Sequence, residues 1–148
     1  MKNKTTLPKT LAVIGTVLIW LPIVAPIVMA FIALAVRHQF LLDFLMPAEL
    51  FLLVAAGGIL LLVTAFWVHK RQKLIGWSMV AAVALLVGSQ GLAEITGLAS
   101  GATPAEGLPL VAVMTLFAGY IASVIAVGVG GILLLRDLFN PARLGLAS

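Results

Sequence analysis

Hydrophobic positions in this chain do not alternate with polar ones. They gather into four long apolar runs separated by short polar breaks: Leu11 to Val36, Leu50 to Val68, Leu74 to Ala93 and Leu110 to Leu135. Each run supplies about the 20 residues a helix needs to cross a ~30 Å hydrocarbon core at ~1.5 Å per residue. Hydrocarbon offers backbone amides no partner, so each run must satisfy its own hydrogen bonds and is predicted to be a helix. The pattern predicts an all-α membrane protein with four transmembrane helices, forming a single integral membrane domain over residues 1–148.

The polar breaks set the expected orientation. Lys2, Lys4 and Lys9 precede the first run. Lys70, Arg71 and Lys73 sit in the tight turn His69-Lys70-Arg71-Gln72-Lys73, and Arg136 and Arg143 follow the fourth run. With four crossings, these clusters share one side, and only Arg37 lies opposite. Basic residues are retained on the cytoplasmic side, which predicts cytoplasmic N and C termini in a cell (plasma or inner) membrane. Trp67 and Trp77 flank the same turn, where indole rings favour the headgroup layer. Gly97 to Pro109, rich in glycine, alanine and proline, reads as a flexible loop. The first apolar run is too long for a secretory signal, whose apolar region spans roughly 7–15 residues, so it is expected to remain as a helix.

Composition agrees. Hydrophobic residues make up 63% of the chain and charged ones 9%, with a mean hydropathy of +1.23. A soluble domain needs about 25% charged residues to face water, so lipid must be the solvent for most of this exterior. The net charge of +4 is explained by orientation signals and predicts no nucleic-acid partner. The absence of cysteine excludes disulfides, thiolate metal sites and cysteine nucleophiles.

Gly57-Gly58-Ile59-Leu60-Leu61-Leu62 recurs as Gly130-Gly131-Ile132-Leu133-Leu134-Leu135, at an offset of 73 residues, about half the chain. The same offset aligns Val54 with Val127, Phe66 with Phe139, Gly15 with Gly88 and Thr16 with Ser89. This predicts two tandem, parallel-oriented helical hairpins, residues 1–73 and 74–148, related by an axis along the membrane normal.

Helices in lipid associate through small residues that let backbones approach. Ala118, Ala122, Ala126 and Gly130 form such a ridge on the fourth span, and Gly57 and Gly58 serve the second. On the third, Ser78 with Ala82 and Ala84 with Gly88 share that spacing. These are expected helix-packing positions, and a docking face for a second protein is the sharper reading. Pro22 and Pro26, one turn apart, predict a kink in the first span, because each removes an amide donor and crowds the preceding turn.

Candidate chemistry is sparse. Gln90 and Glu94 are the one strongly polar pair inside an apolar run, four residues apart and in line with Ser78 and Ala82. Ionisable groups in spans are functional suspects, although Glu94 falls at the outer interface, and Gln90 is expected to be the better buried. His38 and His69 fall at opposite faces and cannot share a metal or haem. No Glu-x-x-His, Walker, dinucleotide or Gly-x-Ser-x-Gly pattern occurs. Arg37 to Leu45, with Phe40, Leu41, Leu42 and Phe44, suits a short interfacial helix. The turn at 69–73 carries charge suited to anionic headgroups, which orientation alone explains.

No catalytic set and no cofactor is implied. The expectation is a non-catalytic subunit or scaffold, meeting the lipid bilayer, other membrane subunits or copies of itself. The alternative is a small solute or ion transporter or channel using the polar face of the third helix.

Overall fold

The computed structural model describes residues 3–37, 47–104 and 106–140. It contains four helices: α1 (Asn3–Arg37), α2 (Pro47–Val68), α3 (Gln72–Ile95) and α4 (Gly107–Phe139). All four are long and apolar enough to cross a membrane. The structure is therefore all-helical, with four candidate spans. All four helices outrun their apolar segments, α1 and α4 the furthest. α1 begins at Asn3 rather than Leu11, and α4 continues past Leu135 through Arg136 and Asp137. At ~1.5 Å per residue α1 is about 52 Å long, so its ends must project beyond the hydrocarbon or the helix must tilt. α1 runs unbroken through Pro22 and Pro26. The connector 38–46, with His38, Asp43 and most of the proposed interfacial helix, lies outside the described residues, as does Arg143.

Neighbouring helices alternate in direction. The Lys9 ammonium lies 5.1 Å from the Phe139 ring centre. Thr16 faces Gly131 and Trp20 faces Gly128, so α1 and α4 run antiparallel. Gly58 meets Met79 and Gly76 meets Leu62 between α2 and α3. Gly130 meets Ile75 and Gly119 meets Leu85 between α4 and α3. α1 packs most extensively on α2, and α3 on α4. The start of α1, the α2–α3 turn and the end of α4 consequently meet at one end of the bundle.

That end is locked by side chains. α2 stops at His69 and Arg71, which adopt left-handed backbone at φ 56° and 59° without being glycine. Such conformations cost L-residues roughly 1–2 kcal/mol each and persist where surroundings enforce them. Here the Lys70 N–H donates to the Ala65 carbonyl at 3.2 Å, and Arg71 Nε donates to Asp137 Oδ2 at 3.2 Å. The opposite connection is tied down too. Thr103 Oγ1 donates to the Thr96 carbonyl at 2.6 Å, and the Thr103 N–H donates to the Gly97 carbonyl. The segment read as a flexible loop is a hydrogen-bonded turn, and its last residues already belong to α4.

The core is apolar, from Ala12 and Ile19 of α1 to Leu134 and Leu138 of α4. Its polar members serve themselves: Thr16, Thr64 and Ser89 each donate to a carbonyl three or four residues earlier in the same helix. Beyond Pro22, no described side chain of α1 is buried.

The Gly-Gly-Ile-Leu-Leu-Leu echo has structural content in α2 and α4. Both glycine pairs, Leu61 and Leu134, and Val54 and Val127 are buried, whereas Ile59 and Ile132, and Phe66 and Phe139, are exposed. The first helices do not follow. Gly15 is buried against Gly57, but Gly88 is exposed, touches Leu116, and leaves Gly130 to Ile75. Equivalent hairpins would pair Gly88 with Gly130. The offset of 73 thus relates α2 to α4, while α3 sits in a different register from α1.

Candidate functional site

Gln90 and Glu94 are both exposed on the surface of the bundle. The buried stripe of α3 runs through Ile75, Ala82, Leu86 and Ser89. An i, i+4 line rotates by about 40° per step, so a line begun at Ser78 and Ala82 leaves the core before Gln90. Neither residue makes a side-chain hydrogen bond to the described residues. Gln90 is five residues before the end of α3, about 7 Å inside the helix terminus. It belongs to an exposed line of Val80, Val83, Val87, Gln90 and Glu94. The spacing alternates three and four residues, the periodicity of a seam between two helices.

The small-residue ridge of α4 rotates off the seam for the same reason. Gly130 is buried and a Cβ there would lie 2.9 Å from Ile75 Cγ1, but Ala126 is half-buried, and Ala118 and Ala122 are exposed. The α3 pair Ala84 and Gly88 is exposed as well. At Gly57 two helix backbones come close: a Cβ there would lie 2.9 Å from the Gly15 carbonyl oxygen. Gly58 instead faces the thioether of Met79.

Pro22 and Pro26 line a cleft between α1, α2 and α4. Its volume is about 330 Å³, and its walls include Val54 and Val124. Tyr120 is the single lining residue with a polar side chain; it is 6% exposed, and its hydroxyl has no hydrogen bond to the described residues. Gln90 and Glu94 are not among the lining residues. Nearby in α1, the Trp20 indole packs on Gly128, and its Nε1–H is buried without an acceptor among the described residues.

Sequence reasoning singled out neither Tyr120 nor Asp137. The chain has one tyrosine, and it stands inside an apolar run, which was the available signal for a polar group in the membrane interior. His69 is exposed in the turn, and no cluster of three metal-binding side chains occurs among the described residues. No protein-family model matches the chain, and no curated protein or solved structure is significantly similar to it.

Proposed function

We propose that this chain is a non-catalytic membrane subunit or scaffold that associates laterally, with copies of itself or with other membrane subunits, through the exposed seam of α3. The observation that carries the reading is Gln90. Its amide offers two donors and an acceptor, lies within the candidate span and has no partner among the described residues. Polar side chains in lipid act as glue between helices, typically contributing about 0.6–2 kcal/mol per bond. The valines at Val80, Val83 and Val87 supply a packing surface below it, and a polar residue in such a seam fixes its register. Two α3 helices related by a two-fold along the membrane normal bring Gln90 against Gln90.

The orientation proposed is cytoplasmic for both termini, in the plasma or inner membrane. Lys9, Lys70, Arg71 and Arg136 gather near one end of the bundle, as retention of positive charge requires. The tandem-hairpin origin rests on the matching environments of α2 and α4 and calls for later sliding of α3 against α4.

Energy transfer between two labelled copies in vesicles tests the association. The native chain is expected to show transfer that persists on dilution into excess lipid. Gln90→Leu is expected to weaken the association about three- to tenfold, while Ala118→Leu, on the other helix, leaves it unchanged. Loss of transfer with Ala118→Leu and none with Gln90→Leu moves the interface to α4.

A further inference from the structure

We propose that the cleft between α1, α2 and α4 binds a neutral, membrane-dissolved ligand that presents a carbonyl-type oxygen to the Tyr120 hydroxyl. Ligand pockets are mostly apolar concavities of ~300–1,000 Å³ with a few placed polar groups, and this cleft of about 330 Å³ with one hydroxyl is of that kind. Its walls carry no charge, so an ionised ligand would lose its hydration without compensation.

The depth of Tyr120 narrows the class further. It lies thirteen residues into α4, about 20 Å from that helix's first residue. Phospholipid ester carbonyls sit at the interface and do not reach that level. An acyl chain fills the cleft but leaves the hydroxyl unpaired. Tyr120 is 6% exposed, and its hydroxyl donates to no acceptor among the described residues while keeping some access to the cleft. The ligand must therefore carry an acceptor oxygen on an otherwise apolar body, as a quinone ring with a hydrocarbon tail does. Pro22 and Pro26 form part of the wall and, lacking amide hydrogens, offer no backbone donor there. This site is separate from the α3 seam, because none of its lining residues belongs to α3.

The test uses the full chain in nanodiscs, a decyl-substituted benzoquinone bearing a photoreactive diazirine, and peptide mapping of the label. The expected result is saturable labelling at Phe117 to Ile125 and Pro22 to Ile27, displaced by the unmodified quinone. Tyr120→Phe, which keeps the ring, is expected to weaken half-saturation about tenfold. Val124→Trp fills the cleft and is expected to abolish saturable labelling. A matched hydrocarbon diazirine without the carbonyl is expected to label all exposed faces without saturating. The proposal is overturned if Tyr120→Phe labels as the native chain does, if the hydrocarbon probe saturates with equal affinity, or if the quinone labels diffusely.

Discussion

Gly57→Ala is expected to destabilise the bundle by about 1–3 kcal/mol, while Gly58→Ala, one residue away in the same motif, is close to neutral. At Gly57 the added methyl meets the Gly15 carbonyl oxygen at 2.9 Å, Leu18 Cβ at 2.9 Å and Ile19 Cγ1 at 3.0 Å. Two of these atoms are backbone or the root of a side chain, so only a shift of α1 relieves the overlap. Close packing makes such a shift costly across the whole α1–α2 interface. At Gly58 the methyl meets only the end of the Met79 side chain. Three rotatable bonds let the thioether turn aside, and replacing glycine in a helix returns up to about 1 kcal/mol. Unfolding in mixed micelles of rising dodecyl sulfate content compares the two variants. Equal losses at both positions would mean that α1 and α2 do not cross at Gly15 and Gly57.

Arg71→Ala is expected to cost about 1.5 kcal/mol, more than Asp137→Asn costs. The Asp137 side chain is 10% exposed and its one partner among the described residues is the Arg71 guanidinium. Removing the arginine leaves a nearly buried carboxylate without compensation, whereas the asparagine leaves a cheaper neutral amide. Arg71 is itself 40% exposed, so water screens the pair and keeps the loss below that of a fully buried bridge. In a double-mutant cycle the combined variant is expected to be more stable than Arg71→Ala alone. If Asp137→Asn proves the more damaging single change, the ion pair is not what holds the turn to α4.

The number and placement of the spans were legible because the relevant signal, twenty or so apolar residues without charge, depends on length rather than on packing. The ends were less so. α4 carries Arg136 and Asp137 as helix because Arg71, 66 residues earlier in the chain, neutralises the aspartate. Such a partner leaves no local trace. The choice of faces was the main failure, and it has one cause. Lines drawn every four residues wind around a helix, so the ridge from Gly130 to Ala118 and the line from Ser78 to Gln90 each turn through about 120° and pass from core to lipid. In a helix apolar on every side, hydrophobicity gives no correction. Ile75, Ala82 and Ser89, spaced by seven, hold the seam far better. Which neighbour each glycine pair meets depends on helix register, and the register of α3 against α4 is not written in the repeated motif.

The central claim is that the chain crosses the membrane four times and returns both ends to the side that carries the basic turn. Because the chain contains no cysteine, single substitutions at the exposed positions Lys70, Ser100 and Asn140 provide unique labels. In sealed vesicles of known orientation, a membrane-impermeant maleimide should reach Lys70→Cys and Asn140→Cys from the cytoplasmic side and Ser100→Cys from the other side alone. Labelling of Lys70→Cys and Asn140→Cys from opposite sides, or of Ser100→Cys together with Lys70→Cys, would contradict it.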